Sequence, residues 1–173
     1  MQKNNPRGRD TSLHSMLRCC ACVIVLLQTA RAGASERLVP TGGSVITLDA
    51  AGLRSTYYRL QQDSVLELKA SGPGTLAVIM RLALPAGFGR DSAHFRMVVT
   101  LGADTARDVR TTTTPDAGDW LGRTEQPSVS QTLSLPVQVG RHTYRFHLSE
   151  ADGPYAGLQF ILKRSTPRGP AAP

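Results

Sequence analysis

The residues best suited to chemistry gather between Gly102 and Gln126, where Asp104, Asp108, Asp116, Asp119 and Glu125 surround Trp120, the single tryptophan. An exposed indole beside carboxylates would stack on the apolar face of a sugar ring while the acids accept its hydroxyl hydrogens. The same residues fit a plainer arrangement, in which Trp120 closes one end of a core and the acids are solvated. Asp116 and Asp119 could supply oxygen ligands to calcium. That ion wants about six to eight of them, and no D-x-D-x-D-G pattern is present. No metal or other cofactor is expected.

Arg59, Arg81, Arg96 and Arg145 form a second set. Each alternates against the apolar positions of its own segment and so points away from the main apolar face. If those segments are neighbours, the four make a basic stripe for an acidic polysaccharide, a lipid phosphate or a carboxylate. If not, they pair across strands with acids such as Glu67 or are solvated. His142 and His147 lie five apart on one segment, an odd spacing that sends them to opposite faces. No G-x-S-x-G, H-E-x-x-H, C-x-x-C, P-loop or strand-linked G-x-G-x-x-G occurs downstream of residue 34. No catalytic residues are assigned, and the chain reads as a non-enzyme.

The elements that must carry these residues alternate with period two, the pattern of half-buried antiparallel strands. Nine strands are expected, over residues 44–48, 56–60, 65–70, 75–84, 94–101, 109–114, 129–139, 142–149 and 157–163. In 75–84, Leu76, Val78, Met80, Leu82 and Leu84 share one face while Ala77, Ile79 and Ala83 keep the other apolar, so this strand should be central. Ser71-Gly72-Pro73-Gly74 and Gly140-Arg141 read as turns. Pro136 argues for an edge or a bulge. No stretch of this region shows a helical period. The pattern predicts an all-β, antiparallel β-sandwich of jelly-roll type with about eight to nine strands, and a closed barrel is the alternative.

The apolar fraction of 40% supports a core, and a charged fraction of 19% is too low for a mainly disordered chain. The net charge of +7 is spread unevenly: residues 1–34 hold five bases against Asp10, and the remainder holds 15 bases against 12 acids. A domain so mildly basic, without a concentrated patch, excludes nucleic acid as the expected partner.

Residues 16–34 read MLRCCACVIVLLQTARAGA, with Arg18 as a basic flank, an apolar stretch from Cys19 to Leu27, and small residues after it. This is the layout of a secretory signal, with A-x-A cleavage patterns ending at Ala32 and Ala34. The apolar stretch is shorter than the roughly 20 residues that span a bilayer. Translation starting at Met16 would remove an unusually long polar lead. All three cysteines lie inside this segment, so the mature domain would have none. It could then form no disulfide. The expected organisation is a signal peptide over 1–34, a sandwich domain over 35–165 and a disordered tail over 166–173. The expected location is the periplasm, or the extracellular space or cell surface, with no transmembrane span in the mature chain.

Tyr57-Tyr58-Arg59-Leu60, then Val65-Leu66-Glu67-Leu68, then Leu76-Ala77-Val78-Ile79 resemble the opening strands of bacterial pre-peptidase C-terminal-type and carbohydrate-binding-like β-sandwich modules. Leu135-Pro136 through Gly140-Arg141-His142-Thr143-Tyr144-Arg145-Phe146 resembles their final strands. The acidic D-x-D-L strand common in the pre-peptidase family is absent, so the resemblance implies the architecture and no binding residues. The expected function is a non-catalytic exported binding module for a polysaccharide or an envelope protein, using Trp120, Asp116 and Asp119 or the four arginines. The alternatives are a structural subunit that pairs through the Thr111–Thr114 edge, and a hydrolase with a site not evident from motifs. Oligomeric state is left open.

Overall fold

The computed structural model describes residues 34–165. Residues 1–33, which hold most of the expected signal peptide with Ala32, and residues 166–173, the expected tail, lie outside the described residues. Ten strands follow in chain order: β1 (Ser35–Leu38), β2 (Val45–Ala50), β3 (Leu53–Leu60), β4 (Val65–Leu84), β5 (Ala93–Leu101), β6 (Asp104–Thr113), β7 (Asp119–Trp120), β8 (Gln126–Pro127), β9 (Gln131–Ala151) and β10 (Tyr155–Arg164). All pairings are antiparallel, in the order β6-β5-β9-β4-β10-β3-β2-β7, with β1 beside β10 and β8 beside β4. The fold is the expected all-β sandwich. Among the described residues no helix is long and apolar enough to cross a membrane.

Two expected turns are corrected. Ser71–Gly74 and Gly140-Arg141 do not reverse the chain; they lie opposite each other inside one long β4–β9 ladder, with Gly72 paired to Val139 and Gly140. Turn residues on facing strands bend the ribbon instead of ending it, because Val139 and Gly140 of β9 both stand opposite Gly72 and make a bulge there. Gly140 takes φ +107°, which suits glycine. A Cβ at Gly72 would run into the Val137 and Gln138 carbonyls, so only glycine lets the strands close there. The expected strand pairs 65–70 with 75–84 and 129–139 with 142–149 therefore become β4 and β9.

The bend folds the sheet onto itself. One layer runs β6-β5, then residues 142–151 of β9, then residues 65–71 of β4. The other holds residues 131–137 of β9, residues 74–84 of β4, β10, β3, β2 and β7. Between them lies a core of alternate side chains, including Leu66 and Leu68 from one half of β4, Val78 and Met80 from the other, and Met97, Phe146, Leu158 and Phe160. Phe146 and Phe160 meet across the layers at a ring separation of 5.0 Å. The 74–84 half of β4 is flanked by β9 and β10, and both its faces are apolar because one meets the inter-layer core and the other, through Ile79 and Ala83, a second cluster. Pro136 stands where β9 pairs with β4 alone, an edge that needs no second donor.

Candidate functional site

The stretch read as irregular, Gly102–Gln126, is half strand. Gly102, at φ +62°, turns the chain into β6, which pairs with β5 from Asp104 onward. The following segment, 114–128, is a strap. Pro115 bridges Ser128, β8 pairs with the end of β4, and β7 pairs with the far strand β2. The strap thus crosses the outer face of the second layer. Trp120 seats under it at 1% exposure, edge-on to Tyr57 at 5.4 Å and tilted against Tyr155 at 6.2 Å. With Ile46, Leu48 and Ala83 these rings make a second, smaller core. Gly157 lies beneath the indole, where a Cβ would come within 2.7 Å of Trp120 Cη2.

Arg59 and Arg81 flank Gly157 in one row across β3, β10 and β4. Arg81 Nη1 donates to Asp116 Oδ2 at 2.6 Å and to the Ser128 carbonyl at 2.8 Å, tying the strap to β4. The Arg59 guanidinium lies 4.8 Å from the Tyr155 ring centre, and that of Arg123 lies 5.4 Å from it. Burial, with the Glu125 charge, pushes the Tyr155 phenol up to about 12. The structure therefore brings Trp120, Asp116, Arg59 and Arg81 together, but as the pin of a strap. Trp120 presents no free ring face to a sugar. Asp119 is exposed and faces Asp49 across the β2–β7 pair.

The Arg81 guanidinium also holds the Asp116 carboxyl below the usual carboxylate range. A carboxyl with a lowered folded-state value binds fewer protons folded than unfolded. Its contribution is therefore present above the ordinary value near 4 and lost as the pH falls through the lower folded value. Asp116→Asn is expected to flatten the acid limb of stability below about pH 4, read from urea midpoints measured against pH. An unchanged acid limb would show that the pair carries none of it.

Arg96 and Arg145 lie on the opposite outer face, so the single four-arginine stripe is corrected to two separate pairs. Alternation fixes inward or outward; it does not tell which layer a strand half joins. Arg145 takes the cross-strand alternative and pairs with Glu67 at 3.2 Å. Arg96 is clamped: its Nε and Nη2 donate to Asp108 at 2.9 and 2.6 Å, and its Nη1 donates to Glu150 at 3.2 Å. It helps to line an open recess of about 380 Å³ with His94, Arg110, Thr112, Glu150 and Asp152. His94 Nδ1 and Thr112 Oγ1 are 3.0 Å apart. Asp152 accepts from the His94 backbone N–H at 2.8 Å and pairs with Arg90. No bond between a carboxylate and the His94 ring is present among the described residues, so the His94–Thr112 contact has the form of a base and hydroxyl without an orienter. Arg110 and Thr112 fall on the strand expected over 109–114, and Glu150 and Asp152 lie just past the one expected over 142–149; it is the register of β5 between β6 and β9, which alternation does not give, that gathers them. The outward parity of Arg96 was the signal that could have led to them. Among the described residues, no three His, Cys, Asp or Glu side chains gather as a metal set.

Strand pairing and the open polar recess define an all-β antiparallel sandwich with one outer face strapped and the other open. Among solved structures it is similar to the exo-β-1,3-galactanase from Phanerochaete chrysosporium, at 17% identity and TM-score 0.41, over 75% of this chain and 29% of that chain. It is similar to CBM35 from Paenibacillus barcinonensis, at 16% identity and TM-score 0.44, over 77% and 100%. A family 35 carbohydrate binding module from Clostridium thermocellum is similar at 15% identity and TM-score 0.42, over 76% and 99%. The chain thus spans less than a third of the galactanase and nearly all of each module. These likenesses accompany the fold and assign no ligand. No protein-family model and no curated protein matches the chain.

Proposed function

We propose that this chain is an exported, non-catalytic binding module that takes a glycan in the recess between β5, β6 and the 142–151 half of β9. The observation that carries the reading is the Arg96 clamp. A guanidinium held by Asp108 and Glu150 beside an open recess of about 380 Å³ is a fixed array of donors and acceptors. Hydroxyl-rich ligands need such arrays, and side chains already immobilised lose little further freedom on binding. A recess of that size suits one or two sugar rings. The leader-like residues 16–34 supply the export half of the proposal.

A glycan array followed by calorimetry on the best ligand tests it. Arg96→Ala is expected to weaken binding by at least ~10-fold, about 1.4 kcal/mol. Glu150→Gln should weaken it less. Arg54→Ala, on the opposite edge beside Asp49, should leave it unchanged. An empty array with a protein captured from envelope extract would move the ligand class to protein. An empty array with no capture would overturn the binding reading.

A further inference from the structure

We propose that two copies of this chain join edge to edge through β6, antiparallel and centred on Val109, with Asp108 of each copy against Arg110 of the other. The strand ends its sheet, and among the described residues nothing pairs with its outer side over 104–112. The Thr111–Thr114 edge is corrected in extent, because Thr113 and Thr114 bond to Val129 and that end is closed. What remains is a long strand edge, a standing template for another strand.

Its charges select both the partner and the register. On the outer face Asp108 lies opposite Val98, Arg110 opposite Arg96, and Thr112 opposite His94. Arg96 and Arg110 are like charges placed directly across from each other, which is unfavourable unless each finds an acid. Arg96 takes both Asp108 and Glu150. Arg110 has no ion pair among the described residues. A second copy supplies one. Antiparallel pairing centred on Val109 sets Asp108 against Arg110 twice, and Arg107 against Thr111. Centring on Asp108 would oppose the two Asp108 carboxylates, and centring on Arg107 or Arg110 would oppose identical guanidinia. Centring on Ala106 would set Asp104 against Asp108, and centring on Thr111 would leave only residues 110–112 of the open edge to pair, against 106–112 for Val109. Side chains repeat every second residue along a strand, so the Val109 register also keeps both outer faces on one side. The two recesses then share a continuous surface, and the dimer stands whether or not they take a glycan.

Sedimentation equilibrium on protein purified after expression of the complete sequence tests this, with circular dichroism confirming that each variant is folded. The wild-type chain is expected to show a monomer–dimer equilibrium. Arg110→Asp alone, and Asp108→Arg alone, each place like charges opposite one another and should weaken it by at least ~10-fold. The combined variant restores opposite charges and should recover the dimer. A monomer at every concentration, a dimer indifferent to the single changes, or a combined variant that stays monomeric would each overturn the proposal. Loss of glycan binding with the dimer intact would count against the recess alone.

Discussion

Trp120→Ala is expected to lower the unfolding free energy by about 3–5 kcal/mol. The indole is 1% exposed and touches Tyr57, Tyr155 and the backbone of Gly157. Removing it leaves a void that the flanking rings fill only in part. The loss also reaches the strap: β7 holds β2 by a two-residue pair, with the Leu121 N–H donating to Thr47 at 2.9 Å. Without its anchor that short pair has little reason to persist. The midpoint of thermal unfolding should fall by ~10–20 °C at this domain size. Because Trp120 is the only tryptophan, far-ultraviolet circular dichroism is the suitable probe. Trp120→Phe should cost less, since part of the ring remains. A drop below about 1 kcal/mol for the alanine variant would mean that the strap is held without its pin.

Gly72→Ala should cost about 3 kcal/mol, the upper range for forcing atoms into a filled place. The new methyl would meet the Val137 carbonyl at 2.6 Å and the carbonyl of Gln138 closer still. Both obstacles are main chain, so a rotamer change cannot relieve them. Either β4 and β9 part at the bend or the bend moves. Gly89→Ala is the fitting control, since its Cβ would meet nothing nearer than 3.8 Å. That change should stay within about 0.5 kcal/mol. Urea unfolding of both variants checks the contrast, and equal costs would show that the Gly72 crowding is not limiting.

Much of this architecture was legible in the sequence because burial writes itself into alternation. Tyr58 and Leu60 face the inter-sheet core and Tyr57 and Arg59 the other side, as their parity required. The 75–84 strand is central and Pro136 is on an edge, each for the reason its residues suggested. Turn chemistry was read less well. Ser71–Gly74 and Gly140 have the composition of reversals, yet each takes the conformation its partner strand permits, and the two face each other. A local signal carries no information about what stands across the ladder.

The candidate site was legible in the same partial way. Arg59, Arg81, Asp116 and Trp120 were singled out and do meet. Their common neighbourhood is an interior, because the strap covers it. Arg96 was singled out for pointing outward, but its clamp depends on Asp108 and Glu150, 12 and 54 residues away. Contacts at that separation follow from register, which alternation alone leaves open.

The bulge at which Gly72 faces Val139 and Gly140 has a further consequence. Since β4 and β9 each pass through both walls of the sandwich, neither wall can peel away while the other stays intact. Amide hydrogens at positions 66–70 and 76–80 should then exchange at one common, slow rate set by a single all-or-none opening. The molecule behaves as one sprung clasp made from a doubled ribbon, and a half-open clasp is not a resting state.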